Sequence, residues 1–273
     1  MNDIQKKATA LLKCFTEICN DLGINYFLVC GTALGAVKYG GFIPWDDDVD
    51  VGLFREDYER FLAQAPALLP ENYFLQNYRT DPEFPQPYSK LRDSSTTFIE
   101  KNKANLRINH GIYIDIFPLD GYPILEGEMC RLEWRKRFLS WQWGCALEAD
   151  RSFVSKLHCG FFRFIGCRKR TAKILAKYER VIAAYPVSGS ELVCNHGNWQ
   201  GKLEYAPKEQ YGKGGIAFFE GIEVRIPERF DEYLTQKYGD WRSDPPKEAQ
   251  KSHHGVLAAD ADKPYTEYFG RGV

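Results

Sequence analysis

The chain has 273 residues, of which 44% are hydrophobic and 27% charged, and its formal net charge is −1. Such a chain is globular and soluble, long enough for one large domain or two modest ones. It lacks the cationic-then-apolar start of a signal peptide and any run near the roughly 18 apolar residues of a membrane-spanning helix, which points to the cytoplasm.

In chain order, Ile4, Ala8, Leu11, Leu12, Phe15, Ile18, Cys19 and Leu22 recur at helical spacing. They predict a helix over 3–22 with Asn2 or Asp3 as its N-cap and Gly23 as its stop. "NYFLVC" (25–30) reads as a short buried strand. "GTALGAVKYGG" reads as a Gly-Thr turn, two turns of helix from Ala33 to Lys38, and a glycine break. In "WDDDVDVGLF" a strand over 48–53 would put Asp48, Asp50 and Gly52 on one face and Val49, Val51 and Leu53 on the other.

A helix over 55–65 follows, then strand-like pieces at 73–77, 88–92 and 96–100 and a stronger one, "GIYIDIFPLD", at 111–120. Residues 124–184 are mainly helical, and a loop at 185–190 leads to a strand over 221–227, a helix over 228–239 and an irregular tail. This order predicts an α/β fold: a mixed-sheet core over 1–123, a helical subdomain over 124–190, and a C-terminal segment, 191–273, that packs back on the core.

The eight cysteines form no CxxC pair, so buried free thiols are expected rather than disulfides or zinc. The histidines at 110, 158, 196, 253 and 254 likewise show no zinc-ligand spacing.

A solvated loop accounts for Asp46 and Asp47 but not for carboxylates alternating with valine in a strand. The calcium-loop pattern fails because no ligands continue after Gly52. Two carboxylates on one strand face suit Mg²⁺, and Asp115 in "YIDIF" has the same apolar-Asp-apolar setting, so Asp48, Asp50 and Asp115 converge if their strands are neighbours. Asp120 is the alternative third ligand. Gly31 and Thr32, at a strand-to-helix junction, offer backbone N–H groups to a phosphate. Lys90 and Arg92 share a strand face and would hold a pyrophosphate or else form a solvated edge. Trp45 and Tyr39 offer aromatic faces to a base or a cation, or belong to the core. His110 either orients a carboxylate or phosphate or is a surface histidine.

The stretches "GTALGAVKYGGFIPWDDDVDVG", "SKLRDSSTTF", "GIYIDIFPLD" and "YGDWRSDPP" resemble the motifs of the LicD family of phosphocholine and phospho-alcohol transferases. The resemblance runs over about 25–120 and resumes near 218–254. It implies a nucleotidyltransferase-like core in which Asp48 and Asp50 are the strand carboxylates and Gly31 and Thr32 the Gly-hydroxyl turn. It also implies a basic role for Lys38 and places His253 and His254 in a family-like tail as site residues. The implied cofactor is Mg²⁺ or Mn²⁺, and the implied donor a CDP-activated alcohol, above all CDP-choline. The phospho-alcohol would pass to a sugar hydroxyl of a cell-surface glycan such as a teichoic acid or lipopolysaccharide, or of its lipid-linked precursor, and CMP would leave. The rival readings are a nucleotidyltransferase releasing pyrophosphate from an NTP and a catalytically silent glycan- or phosphate-binding protein.

Residues 129–180 hold 13 Lys/Arg against 4 Asp/Glu, which leaves the remainder at −10. The acidic remainder argues against nucleic acid. The aromatic residues interleaved with the cations suggest either peripheral contact with the inner face of a membrane or a helical subdomain with an aromatic core and solvated charges.

Overall fold

Asn2 starts the first helix by accepting the Gln5 N–H while the Gln5 side chain accepts the Asn2 N–H, a capping box that satisfies two donors the helix itself cannot. Helix α1 (Asp3–Asp21) then buries Leu11, Leu12, Phe15, Ile18 and Cys19 along one face. The computed structural model describes residues 1–145, 153–164, 166–197, 201–251 and 255–268.

Strand β1 (Phe27–Leu28) leads into α2 (Cys30–Tyr39), which ends where Gly40 takes a φ of 68°, a left-handed turn that favours glycine. Strand β2 (Asp50–Phe54) and α3 (Arg55–Gln64) follow, then β3 (Tyr73–Gln76), β4 (Ser89–Asp93), β5 (Thr97–Glu100) and β6 (Ile112–Tyr122). The expected helical stretch is α4 (Glu126–Gly144), α5 (Phe153–Phe164) and α6 (Thr171–Ile182). The chain then forms β7 (Leu192–Asn195), β8 (Tyr205–Pro207), β9 (Gly215–Phe219), β10 (Ile222–Ile226), α7 (Phe230–Tyr238) and β11 (Val256–Asp260).

The main sheet among the described residues has seven strands, ordered β1-β2-β6-β4-β3, with β7 on β6 and β8 on β7. Only β2 and β6 run parallel; the remaining pairs are antiparallel. Leu119 pairs with both Phe54 and Asn195, so β2 occupies one edge of β6 and β7 the other. Strand β4 pairs with the first half of that second edge. The fold is therefore mixed α/β, as expected.

The acidic strand starts at Asp50 rather than Asp48, although the Asp115 N–H donates to the Val49 carbonyl and extends the ladder. The residue pattern does not predict strands β7, β8, β9 and β11. They are three to five residues long and follow loops, too short for an alternation to stand out. From residue 191 the chain returns to the core: β7 joins β6, β11 pairs with β5, and α7 packs on α2. The helical stretch has its own cluster of Trp143, Cys159, Phe162, Ile174, Leu175 and Tyr178. No disulfide joins any of the eight cysteines, all of which lie among the described residues; Cys130 is exposed, Cys14 half-buried and the others buried.

Candidate active site

Strand register assembles the site. Asp50 pairs with Asp115, Asp115 with Lys90, and Lys90 with Gln76, so one row of polar side chains crosses β2, β6, β4 and β3 on a single face. The next row on that face is Tyr113, Arg92 and Phe74. The opposite face is apolar, with Val51 beside Ile116 and Ile114 beside Leu91 and Leu75. The alternation in "DVDVG" thus separates carboxylates from core.

At the β2 end the row meets the start of α2. The Thr32 hydroxyl accepts the Asp50 N–H at 2.8 Å and locks the helix start to the strand. Gly31 leaves room for Asp46, since a Cβ there would stand 3.1 Å from its Oδ2. Asp46 and Asp50 therefore meet the start of α2, where backbone N–H groups favour anions, and Asp48 stands near Asp50. Burial and then the charges of Asp48, Asp115 and Asp46 push the Asp50 carboxyl well above the usual carboxylate range, against the opposing pull of Lys90. Its surface is only half-buried, yet protein crowds it and three carboxylates stand near it.

Asp115 is buried and its Oδ1 lies 2.6 Å from the Lys90 ammonium, placed as an ion pair off the hydrogen-bond direction. The ammonium also sits 3.1 Å from the centre of the Tyr113 ring. Burial lowers the Lys90 pKa to about 8 even though Asp115 and Glu100 hold it up. Behind this pair lie Glu100 and Lys103, joined at 2.7 Å, and Lys103 with its neighbours holds the Glu100 carboxyl far below its ordinary range. Sequence reasoning missed both residues, because "EKNKANL" looks like a solvated loop and only the Glu-x-x-Lys spacing hints at a pair.

The other expected site residues are placed as follows. Arg92 shares the Lys90 face but is fully buried, donating to Gln76 and to the Gly111 carbonyl at 2.5 Å, so it walls the site and is not a solvated edge. Asp120 lies five residues after Asp115, on the opposite face of β6, where Arg55 binds both its oxygens at 2.7 Å. Lys38 is 2.6 Å from Asp244 of the C-terminal tail, which the Tyr39 hydroxyl also contacts, so the tail neutralises this cation. Trp45 is half-buried, edge-on to Tyr39. His253 and His254 lie outside the described residues.

His110 is a buried histidine, not a surface one: its Nε2 bonds the Leu106 carbonyl at 3.1 Å, and burial lowers its pKa to about 4. The unfolded chain takes up that proton near pH 6.5, so the neutral ring's contribution is full above pH 6.5 and is lost as pH falls toward 4. Denaturant titrations should show stability declining over this window by on the order of 3 kcal/mol from His110. The His110→Asn variant should show a shallower decline, the remaining slope coming from buried His196, whose pKa is also depressed by burial.

Asp48, Asp50 and Asp115 supply only hard oxygen donors, the set that suits Mg²⁺ or Mn²⁺. Burial and the neighbouring carboxylates disfavour the ionised form of Asp50, and a bound cation would favour it. Among the described residues no three such groups stand as a ready-made metal centre, and Asp115 is engaged by Lys90. A cation here would share Asp115 with the lysine. On the same face, roughly 14 Å away across three strand spacings, Phe74, Asp81, Ser94, Asn109 and Tyr265 line an open cavity of about 480 Å³.

The fold is a mixed α/β sheet with carboxylates close to a helix start, and residues 23–142 match the family described as LicD/FKTN/FKRP, nucleotidyltransferase domain. The chain is 29% identical to the lipopolysaccharide cholinephosphotransferase LicD of Haemophilus influenzae, over 89% of this chain and 92% of that protein. It is also 51% identical over 66 residues to the human ribitol 5-phosphate transferase FKRP, and 40% identical over 68 residues to the mouse ribitol-5-phosphate transferase FKTN. Those stretches cover 23% and 24% of this chain but only 13% and 15% of the two relatives. Residues 23–142 therefore carry the domain of the LicD/FKTN/FKRP family, and similarity to a LicD protein extends over most of the chain.

Proposed function

We propose that this protein transfers a phospho-alcohol from a CDP-activated donor, CDP-choline above all, to a sugar hydroxyl of a cell-surface glycan or its lipid-linked precursor. The observation that carries the reading is the row in which Asp50 and Asp115 are register partners on adjacent parallel strands, at the N-terminus of α2. The match of residues 23–142 to the LicD/FKTN/FKRP family and the near full-length similarity to a cholinephosphotransferase support the phospho-alcohol as cargo.

In this reading Asp48, Asp50 and Asp115 hold one or two divalent cations. Bound there, they would neutralise the donor pyrophosphate and stabilise the entering and leaving oxygens. The backbone N–H groups at Gly31 and Thr32 orient a phosphate at the start of α2. Lys90 holds Asp115 in place from the buried side and limits the negative charge on the row. The acceptor oxygen bonds to the phosphorus that carries the alcohol, the bond from that phosphorus to the CMP oxygen breaks, and a carboxylate of the row takes the acceptor's proton. CMP leaves with the electron pair of the broken bond.

Purified protein with Mg²⁺ should release CMP from CDP-choline only when a glycan acceptor is present, with the phosphorus products followed by NMR. CDP-glycerol, CDP-ribitol and NTPs form the comparison panel. Pyrophosphate release from an NTP would replace this reading with nucleotidyl transfer, and cation-dependent binding with no turnover on any donor would replace it with a silent binding protein.

A further inference from the structure

The helical stretch exposes aromatic side chains that its own core does not use. On α4, Trp134, Phe138 and Trp141 are spaced i, i+4, i+7 and are 68%, 43% and 50% exposed. Trp134 and Phe138 stack at 5.8 Å. On α5, Leu157, Phe161 and Phe164 repeat the spacing, and Phe164 is 89% exposed. Soluble monomers rarely leave so much aromatic surface in ordered stripes. Among the described residues the core of the stretch includes the rings of Trp143, Phe162 and Tyr178, for which the expectation of an aromatic core holds.

The charge around the α4 stripe has one sign. At 100° per residue Arg131 and Arg137 flank it on its two sides and Arg135 lies beyond Arg131, all three exposed. Lys169 and Arg170, just before α6, are exposed as well. Of the acids on α4, Glu133 is taken by Lys136 and Tyr122, and Glu126 and Glu128 sit at the helix start, where they suit its dipole. No helix among the described residues is long and apolar enough to cross a membrane. Aromatic rings bordered by arginines, on helices too short and too charged to span, form the surface of a helix lying in the plane of an anionic bilayer.

We propose that α4 and α5 dock this protein reversibly on anionic lipid, through the Trp134–Phe138–Trp141 and Leu157–Phe161–Phe164 stripes and the flanking arginines. Strand β6 carries Asp115, and three residues separate its end from the start of α4, so the docking helix springs from the strand that forms the site. Docking is independent of the proposed reaction, because the test uses neither donor nor acceptor.

Full-length protein would be sedimented with vesicles of phosphatidylcholine alone and of phosphatidylcholine mixed with phosphatidylglycerol. The expected result is binding to the mixed vesicles only, weakening as salt is raised. Replacing Trp134, Phe138 and Trp141 together by Ser should lower partitioning by about tenfold or more, with circular dichroism unchanged. Reversing Arg131, Arg135 and Arg137 to Glu should lower it by roughly a hundredfold at low salt. Wild-type protein that ignores the anionic vesicles at low salt overturns the proposal, as does binding that neither triple variant changes. A concentration-dependent dimer that light scattering detects in the wild type and the serine variant abolishes, without vesicle binding, assigns the stripe to a second copy of this chain and also overturns it.

Discussion

Asp50→Asn is expected to lower transfer by about a thousandfold or more while leaving the cation-free protein as stable as the wild type or more so. The two effects have one cause. Asp50 sits among Asp46, Asp48 and Asp115, whose charges and burial disfavour its ionised form, so a neutral isostere removes repulsion along with the charge a cation needs. Melting in the presence of Mg²⁺ should show the complementary loss: the cation raises the wild-type midpoint and fails to raise the variant's. Asp115→Asn should be as inactive but should also lose roughly 1–3 kcal/mol, because it strands the Lys90 ammonium in a buried site. The loss stays below the full cost of an orphaned charge because Lys90, already lowered to about pKa 8, sheds its proton readily once Asp115 is gone. Near-normal turnover in either folded variant would remove that carboxylate from the chemistry.

The second large effect lies on the other face of β6. Asp120 is fully buried, which raises its pKa, and its two-point contact with Arg55 at 2.7 Å opposes that rise. Arg55 also reaches Glu59 and Glu179. Arg79 contacts the same two glutamates and Tyr78 bonds Glu179, so α3, β6 and α6 are tied by one set of charges. Arg55→Ala should cost about 3–5 kcal/mol in urea denaturation, since it leaves Asp120 buried and unpaired. The double variant Arg55→Met with Asp120→Leu should recover most of that loss, because it removes both charges and keeps volume in the space. Folded double variant should turn over donor near the wild-type rate. A folded but inactive double variant would make Asp120, and not Asp115, the third carboxylate of the reaction.

Period and parity are legible in the residues themselves. The helical spacing of Leu11, Phe15 and Ile18 marks α1, and the odd separation of Asp115 and Asp120 alone sends them to opposite faces of one strand. Lys90 and Arg92, two apart, share a face as expected. Local pattern does not reveal the cover over that face. Phe98 of β5 packs on Tyr113, and His110 with Tyr265 stands nearby, so Arg92 is sealed in while the neighbouring Lys90 meets a carboxylate. The pairing of Lys90 with Asp115 depends on β4 lying antiparallel beside β6, a long-range register that no local spacing records. The same holds for Asp244, which meets Lys38 from more than 200 positions away. Exposure of the α4 stripe is hidden for a similar reason: helical spacing groups Trp134, Phe138 and Trp141 without saying whether they face inward.

The pairing of β7 with β6 joins Tyr122 to Leu192, so about seventy positions of mainly helical chain separate two residues that touch. While the chain leaves the ribosome at roughly 5–20 residues per second, the edge of β6 at Leu119–Tyr122 waits on the order of 4–14 s for its partner. An open strand edge is where nascent chains stick to one another. Contacts among Trp143, Leu175 and Tyr178 are comparatively local and are expected to form before the strands close, which would shorten the exposure after β7 emerges. If those helices pack first, the excursion would act as a closing arm during synthesis, bringing β7 and β8 to the waiting edge of β6.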